Sequence, residues 1–489
     1  MTTRRILYYL NVSNPTRPAT DSGVILANEV ISRLVKWNPE WHFYVICCEG
    51  TPLPTERVTP IHIPYVSYNM FGRAGFDVHH LKEAVDINKY DFDTIFCNQP
   101  EISHSLFTLL NNHPRMTYTI PIINYFHWFV NGDTYMGNAG ENIKACNDLY
   151  ARQALVGALA GQGTMVNSEW EKEFILKDAE KYLKKKDAQW LRTRMRVGHP
   201  GVNINECDRV RTDERFDKFT ILWNHRLSSY TGCSIFFEWM DRLWEEGIRD
   251  FQVVMTNVAN RVFAHKRMTK SYSGDIPPYV TIFDHLPHDE YHQLAWKVDC
   301  GVFMHIGWGA WSMADLELMA CEKPIISVFD RAGPELFGPK DEYPLYFADD
   351  TTDKNAFYGF RRKFLYLKNN HDEGKKIGKY LRARAERLYD WDITVKGWDR
   401  TIKEFGDFDL SNNPSTEKVN LLNEVKTAGS MTKFECMKHF GGATSWTRYR
   451  RYLITHGIYD DYTEGDVVFY AKKPEGGFRT KMSIWDEVF

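Results

Sequence analysis

The sequence predicts an α/β protein with two doubly wound parallel-sheet domains, because strand-like and helix-like segments alternate in two successive series. The first series begins with the apolar run at 4–12, a loop that ends in Gly23, and apolar residues at helical spacing. The second begins with FTILWNHR at 219–226, after the turn HPGVN at 199–203. Strands that alternate with helices build parallel sheets covered on both faces. We therefore expect two Rossmann-like domains that face a cleft.

Each series continues with short apolar runs that end in turn residues. The further strand candidates are HFYVICC, PIHIPYV, DTIFCN, PIINYFHWF and QGTMVNS in the first series, and FQVVMTN, YVTIF, VDCGVFMHI and PIISVF in the second. KGWDRTIKEF at 396–405 predicts a terminal helix, and the polar stretch GDFDLSNNPSTEK after it predicts a linker. The predicted domains are 1–203 and 204–390, followed by a crossover helix and linker at 391–414 and a small module at 415–489.

Composition excludes several classes of protein. The chain has 489 residues and a formal net charge of −3, so any contact with nucleic acid must come from a local basic patch. None of its nine cysteines forms a CxxC pair, which is typical of reduced thiols in a cytosolic protein. The N-terminus is too polar for a signal peptide, and no apolar run reaches the roughly 20 residues that span a bilayer. We expect a cytoplasmic protein without a membrane partner.

Polar residues follow two strands of the first domain, and ligands of open parallel sheets bind at such carboxyl ends. Asp21, Ser22 and Gly23 lead into a predicted helix, whose N-terminus suits an anion or a sugar hydroxyl. An ordinary N-cap and turn explains the same residues. His127 ends the strand PIINYF and can hydrogen-bond a sugar or act as a base. A lone histidine is, however, more often structural.

The second domain offers a positive charge and a helix start. Arg226 ends its first strand, and a guanidinium suits a diphosphate, although a solvated or salt-bridged arginine fits as well. In the segment 307–330 a Gly-rich loop runs into a helix, whose N-terminus can hold a pyrophosphate without metal through the backbone of Ser312, Met313 and Ala314. Glu317, about one turn further, can accept both hydroxyls of a ribose.

Several short motifs follow one another along about 400 residues of the chain. They are LELMACEKPII, VNSEW at 166–170, HPGVN at 199–203, the strand-end Arg226 before Thr-Gly, and VDCGVFMHI ahead of the Gly-rich loop. Together they make the chain resemble the GT-B glycosyltransferases, specifically the large retaining family that includes glycogen synthase-like and sucrose synthase-like enzymes. The resemblance implies a UDP-sugar donor, no further cofactor, no metal site, and transfer with retention through front-face attack.

The resemblance also assigns residues. It implies that Glu317 binds the donor ribose, that Arg226 binds the donor phosphates, and that Ser312, Met313 and Ala314 form the backbone phosphate cradle. It further implies that the main chain of His285 contacts the base, that Gly23 belongs to the glycine loop of the first lobe, and that His127 lies near the donor sugar. Asp21 and Ser22 flank that glycine, and we include Asp21 with Arg226 and His127 among the catalytic candidates.

The chain departs from the family pattern at two positions. Gly309 stands where the first Glu of the family's E-x7-E motif is expected, so recognition of the sugar is altered. Thr231 stands where a Lys is usual, so one positive charge that would contact the donor phosphates is missing. Arg261 or Arg331 could supply that charge instead. WNHR itself resembles the branch that glycosylates queuosine in tRNA.

The module at 415–489 predicts a winged helix-turn-helix. MTKFECMKHF at 431–440 and SWTRYRRYLITHG at 445–457 read as two helices around a Gly turn, and DYTEGDVVFYAKKP reads as a β-ribbon. The basic residues expected to bind DNA are Arg448, Arg450 and Arg451 on the second helix and Lys472 and Lys473 at the end of the ribbon. A protein-docking module with solvated arginines is the alternative.

A GT-B enzyme with a DNA-binding module resembles in architecture the phage enzymes that glycosylate hydroxymethylated pyrimidines in DNA. The resemblance implies a UDP-sugar donor, double-stranded DNA with modified bases as partner, and the hydroxymethyl group of a flipped 5-hydroxymethylcytosine or its uracil analogue as acceptor, in the cytoplasm of a bacterial host. Two alternatives stay open: transfer to a tRNA base or another non-DNA acceptor, and a non-catalytic DNA-binding protein on a degenerate transferase fold.

Overall fold

The protein has two parallel sheets followed by a small antiparallel one. The computed structural model describes residues 3–10, 12, 18–63, 92–111, 120–131, 141–227, 229–256, 276–283, 286–306, 311–406, 430–432, 463–464 and 467–469. Among the helices in these ranges, none combines the length and the apolar character needed to cross a membrane.

The N-terminal lobe is built on a seven-stranded sheet with the order β3-β2-β1-β4-β5-β6-β7. Every neighbouring pair in it runs parallel. All residues of its central strands β4 and β5 are buried, as expected for strands covered on both faces. The strands are β1 (Arg4–Tyr9), β2 (Trp41–Cys47), β3 (Val58–His62), β4 (Thr94–Cys97), β5 (Ile122–Phe126), β6 (Gly163–Val166) and β7 (Met195–Val197).

The described helices of this lobe connect successive strands and cover the sheet. The first of them packs eight buried residues, among them Val30 and Leu34, toward the core. These helices are α1 (Ser22–Trp37), α2 (Ser103–Leu106), α3 (Glu141–Ala160), α4 (Glu169–Tyr182) and α5 (Lys185–Arg194). Short 3-10 or π turns occupy Pro18–Thr20, Pro100–Ile102 and Phe107–Asn111.

The C-terminal lobe repeats the plan with a six-stranded parallel sheet in the order β10-β9-β8-β11-β12-β13. Its strands are β8 (Phe219–Trp223), β9 (Phe251–Met255), β10 (Val280–Ile282), β11 (Cys300–Phe303), β12 (Ile325–Val328) and β13 (Tyr346–Ala348). Its helices are α6 (Ile204–Arg209), α7 (Cys233–Glu245), α8 (His288–Lys297), α9 (Met313–Ala320), α10 (Gly333–Phe337), α11 (Ala356–Asn369) and α12 (His371–Leu388).

The chain passes between the lobes twice, and the two passages touch. Val202 donates its main-chain N–H to Tyr389 at 2.8 Å, and Trp391 donates to Val202 at 3.2 Å. Helix α13 (Trp391–Gly406) then packs back onto the N-terminal lobe, where the ring of Trp398 lies 4.6 Å from that of Tyr125. A Cβ on Gly163 would lie 2.2 Å from Phe405, so only glycine lets this helix approach the sheet.

The predicted fold class, two doubly wound parallel-sheet domains, is confirmed. Several predicted strands are longer than the observed ones, because their last residues leave the sheet and form the loops at its carboxyl edge. The run 298–306, for example, contributes only Cys300–Phe303, and 219–226 contributes Phe219–Trp223. The predicted terminal helix begins earlier, at Trp391. The predicted domain boundaries stay predictions.

In the C-terminal module the structure describes three short antiparallel strands in the order β14-β16-β15. They are β14 (Ser430–Thr432), β15 (Thr463–Glu464) and β16 (Val467–Phe469). Residues 431–432 were predicted as the start of a helix; they lie in a strand instead, because Met431 pairs with Val468. Arg448, Arg450, Arg451, Lys472 and Lys473 lie outside the described residues, as does most of the predicted helix pair.

Candidate functional site

Glu317 lies at the centre of a hydrogen-bonded group that joins three elements of the C-terminal lobe. Its Oε2 accepts a hydrogen bond of 2.8 Å from the hydroxyl of Tyr291 on α8. Asn224, which directly follows β8, donates its amide to the same hydroxyl oxygen at 2.8 Å and to the carbonyl of Ala314 at 2.9 Å. The end of β8, the start of α9 and Glu317 are thereby fixed relative to one another.

Two histidines keep the Glu317 carboxyl ionised. Nε2 of His288 lies 3.6 Å from Oε1 of Glu317, and Nε2 of His292 lies 3.7 Å from it. Burial alone would raise the carboxyl pKa, but the two imidazoles outweigh it and lower the pKa to about 2. Burial also opposes the charged form of His292, yet Cys207 and Glu317 raise its pKa to about 9. The site therefore presents a carboxylate at neutral pH, which suits a ligand that offers hydroxyl hydrogens.

Helix α9 begins at the residues predicted to hold phosphate. Ser312 is its N-cap, and its Oγ accepts a hydrogen bond of 3.1 Å from the main-chain nitrogen of Asp315. The side chain of Met313 packs against the core of the N-terminal lobe, so this helix start lies where the lobes meet. Backbone N–H groups and the dipole at such a helix end attract anions.

A buried carboxyl that the sequence analysis missed lies in the first turn of α9. Asp315 is fully buried, and its Oδ2 lies 3.5 Å from Nε2 of His225. Burial raises the pKa of the Asp315 carboxyl to about 6, and the nearby imidazole offsets only part of this effect. Nε2 of His225 also lies 2.9 Å from the carbonyl oxygen of Val302. The negative charge that this carboxyl adds at the anion-attracting end of the helix is therefore lost as the pH falls through 6.

Arg226 stands in the loop after β8 with an exposed side chain, and the structure records no ion pair for it within the described residues. Among the described residues the salt-bridged alternative therefore has no partner, and the solvated alternative and the phosphate contact stay open. Thr231, which replaces the usual Lys of the family, donates its hydroxyl hydrogen to the carbonyl of Arg226 at 2.8 Å. Thr231 therefore closes the loop that carries the arginine and adds no charge of its own.

On the N-terminal lobe the structure brings Ser22 and His127 together, with 3.0 Å between Oγ and Nε2. Asn167 donates its amide hydrogen to the carbonyl of His127 at 2.8 Å and so holds the loop after β5 in place. Asp21 is 2% exposed, and its Oδ1 accepts a hydrogen bond of 2.9 Å from the main-chain nitrogen of Gly23. This contact makes Asp21 the N-cap of α1, and its assignment as a catalytic residue stays a prediction.

Glu335 and Arg331 of the C-terminal lobe also contact the N-terminal lobe. Nε2 of His199 lies 2.5 Å from Oε1 of Glu335, and the same carboxylate accepts hydrogen bonds of 3.0 and 3.1 Å from the main-chain nitrogen of Glu169 at the start of α4. The guanidinium of Arg331 stacks 4.8 Å from the ring of Trp170. Arg331, predicted as a possible replacement for the missing Lys, thus reaches the partner lobe.

Part of this arrangement could be predicted from the sequence. Ser22, His127, Ala314 and Glu317 are among the predicted site residues; the structure brings Ser22 to His127 and joins Ala314 to Glu317 through Asn224 and Tyr291. His285 and Gly309 lie outside the described residues. The residues that surround Glu317 were not predicted. Asn224 is part of the quoted WNHR, and two histidines four residues apart in HDEYH would have indicated one face of a helix. The missed residues are Asn224, His225, His288, Tyr291, His292 and Asp315.

No protein-family model and no curated protein sequence matches this chain. Solved structures do. A sucrose-phosphate synthase from Thermosynechococcus elongatus is 13% identical with a TM-score of 0.61, and covers 82% of this chain and 98% of its own. A glycosyltransferase from Rickettsia africae is 16% identical with a TM-score of 0.57, over 83% of this chain and 99% of its own. Anabaena HepE in complex with UDP and glucose is 12% identical with a TM-score of 0.55, over 82% and 100%.

These similarities define the class of fold. The two facing parallel-sheet lobes are those of the GT-B glycosyltransferases, as the resemblance implied. At such low sequence identity the likeness establishes the fold, and the activity has to be argued from the residues of the site.

Proposed function

We propose that the protein is a glycosyltransferase that moves a sugar from a UDP-sugar to the hydroxymethyl group of 5-hydroxymethylcytosine in double-stranded DNA, with retention and without a metal cofactor. The observation that carries the donor half is Glu317, an ionised carboxylate one turn into α9. Its two oxygens can accept both ribose hydroxyls of the nucleotide. Tyr291 and the two histidines hold it at the orientation and charge that this contact needs.

The diphosphate is assigned to the space between the start of α9 and the end of β8. The N-terminus of α9 supplies main-chain N–H groups and a positive dipole end. Arg226 supplies a permanent positive charge from an exposed, unpaired position among the described residues. HepE, which shares this fold, is described in complex with UDP and glucose and with UDP-glucose, which favours a uridine nucleotide here.

The reacting groups of the proposed transfer lie between this donor site and the pair Ser22–His127. The acceptor oxygen forms its bond to the anomeric carbon while the bond from that carbon to the β-phosphate oxygen breaks. Attack from the face of the leaving group preserves the configuration, and the departing phosphate takes the hydroxyl proton. Arg226 and the α9 dipole stabilise the charge that develops on that phosphate. His127 and Ser22 hold hydroxyls of the sugar in place.

The DNA half of the proposal rests on the C-terminal module. Strands β15 and β16 pair antiparallel across two residues, as in the predicted ribbon, and β14 joins β16 on its other side. In the proposal this three-stranded sheet contains the predicted wing and supports the predicted helix pair. The basic residues Arg448, Arg450, Arg451, Lys472 and Lys473 then supply the groove and phosphate contacts.

Nucleoside mass spectrometry tests the proposal. The protein is incubated with UDP-glucose, UDP-galactose or UDP-N-acetylglucosamine in the presence of EDTA and with duplexes that contain 5-hydroxymethylcytosine, 5-hydroxymethyluracil or cytosine. We expect the mass of one sugar on a hydroxymethylated base and none on cytosine. Arg226→Ala should abolish transfer, whereas Arg361→Ala, which removes an exposed arginine of the same lobe paired with Glu246, should not.

The same experiment separates the alternatives. Transfer to tRNA or to a free glycan, without transfer to DNA, would show that the protein is a glycosyltransferase with a different acceptor. DNA binding without UDP binding and without transfer to any acceptor would favour the non-catalytic alternative. The absence of the family's usual Glu and Lys, at Gly309 and Thr231, supports that alternative.

A further inference from the structure

Beside Glu317 lies a set of metal-ligating side chains that the proposed transfer does not need as ligands. His288 and His292 are four residues apart on α8, so both rings lie on one face of the helix, with 4.2 Å between their centroids. Their Nε2 atoms approach the same oxygen, Oε1 of Glu317, at 3.6 and 3.7 Å. Potential ligand atoms of the three residues all lie within 4.8 Å of one another.

The two distances to Oε1 of Glu317 are close to what a tetrahedral ion requires. Zinc binds imidazole nitrogen and carboxylate oxygen at about 2.1 Å, so two of its ligand atoms lie about 3.4 Å apart. The observed separations of 3.6 and 3.7 Å exceed this value by a few tenths of an ångström, which small rotations of the side chains can supply. Two histidines and one glutamate also form a known zinc ligand set that leaves a fourth position open.

The buried side chain of His292 gives further support for a metal site. This side chain is 1% exposed, and neither of its ring nitrogens has a hydrogen-bond partner within the described part of the chain. The 3.7 Å between Nε2 and Oε1 of Glu317 is too long for a hydrogen bond, and an ion bound between these two atoms would contact both directly. Because Tyr291 already occupies Oε2 of Glu317, the other oxygen is the one directed at the two histidines.

The surroundings of His288 fit the same interpretation. Its second ring nitrogen, Nδ1, lies 3.6 Å from Oε2 of Glu206. A metal-ligating histidine commonly turns its other N–H toward a carboxylate, which fixes the tautomer and makes the metal-bound nitrogen a better donor. About half of the side chain of His288 is exposed, so an ion can reach the site from solvent.

We propose that His288, His292 and Glu317 form a zinc site whose occupation excludes the donor nucleotide. The geometry of the three side chains supports the zinc site. The exclusion of the nucleotide by zinc rests on the proposed function, in which Glu317 contacts the ribose. One carboxylate cannot accept the two ribose hydroxyls while Oε1 is bound to an ion. Zinc then acts as an inhibitor that competes with the UDP-sugar and takes no part in the transfer.

Metal binding to the full chain, prepared without a polyhistidine tag and stripped with EDTA, tests the site. Zinc affinity is measured by competition with a chromophoric chelator, and cobalt is titrated to observe the visible bands of a tetrahedral site. We expect one strongly bound zinc ion per chain. His288→Ala and His292→Ala should each weaken binding at least tenfold, in line with the loss of a metal ligand. His371→Ala, which removes an exposed histidine near Asp299, is the matched control.

The outcomes are distinct. The zinc site is overturned if the wild type binds no zinc, or if both histidine variants bind zinc as tightly as the wild type does. If the variant of the buried His292 does not fold, the His288→Ala variant alone decides the outcome. Saturating UDP should weaken the apparent zinc affinity at least tenfold, and zinc should weaken that of UDP by the same factor. Independent binding of the two would overturn the exclusion. Failure of the metal-free protein to bind UDP would instead contradict the proposed function and leave the zinc site intact.

Discussion

Ser22 and His127 hold each other at the carboxyl edge of the first sheet, 3.0 Å apart between Oγ and Nε2. Ser22 opens the helix after β1, and His127 directly follows β5, two strands that are separated in the sheet by β4. The contact therefore ties together two loops that are 105 residues apart in sequence. A fixed imidazole on this lobe faces the side from which the sugar and the acceptor are expected.

Ser22→Ala should lower the rate of transfer about tenfold and leave the affinity for UDP unchanged, because it frees the ring of His127 without touching the nucleotide site. Transfer rates and calorimetric UDP titrations check this. Ser105→Ala is the matched control, since Ser105 makes a similar contact of 3.3 Å with His104 in the same lobe. Equal losses in both variants would contradict the assignment.

Tyr291→Phe should weaken UDP binding about tenfold, since it removes the hydroxyl that holds Oε2 of Glu317 and accepts from Asn224. Calorimetry measures the affinity, and circular dichroism checks that the fold is kept. Tyr358→Phe removes an exposed hydroxyl contacted by Arg242 and should bind UDP as the wild type does. Unchanged affinity in Tyr291→Phe would show that the orientation of Glu317 does not matter for the nucleotide.

The stability that Glu317 contributes should depend on pH in a defined direction. Its folded-state pKa, lowered to about 2 against opposing burial by His288 and His292, lies below the usual 4.5. The contribution is therefore fully present above pH 4.5 and is lost as the pH falls toward 2. The wild type should exceed Glu317→Gln by ~3 kcal/mol at pH 6 in urea unfolding, and this difference should shrink in acid. A pH-independent difference would contradict the ionised carboxylate.

Asp315 should show the opposite dependence. Burial raises its folded-state pKa to about 6, above the usual 3.8, so its contribution is present below pH 3.8 and lost as the pH rises through 6. Asp315→Asn should therefore be more stable than the wild type by about 3 kcal/mol at pH 8 and should melt at a higher temperature there. It should lose this advantage at pH 4. Calorimetric scans at the two pH values measure it.

Replacing Arg448 and Arg451 together with alanine should weaken DNA binding and flatten its dependence on salt, because each phosphate contact releases counterions. Fluorescence anisotropy at several salt concentrations gives the slope. UDP binding should not change, which separates the module from the donor site. An unchanged slope would favour the protein-docking alternative for this module.

The alternation of apolar runs was enough to predict both parallel sheets, because a strand buried on both faces leaves a continuous apolar signature. The strand Ile122–Phe126 is an example, with all five residues buried. The end of that strand also led to His127, since loops at the carboxyl edge begin where apolar character stops.

The partners of Glu317 could not be predicted in the same way. Tyr291 and Asn224 are 67 residues apart and meet only because α8 packs beside the end of β8. Their hydrogen bonds depend on tertiary geometry that no local pattern encodes. Likewise, the sequence left Asp21 open as a ligand or as an N-cap, and the N-cap contact became visible only through the distance to the nitrogen of Gly23.

Helix α13 has a consequence for how the chain folds during synthesis. Its side chains Trp398, Ile402 and Phe405 complete the apolar interior of a lobe whose strands were made some two hundred residues earlier. The second lobe is thus an insertion within the first, and a ribosome-bound chain cannot finish its first lobe until residue 406 has emerged. A fragment that stops at residue 203 would leave Tyr125 and Phe96 uncovered, and it would aggregate where the longer chain stays folded.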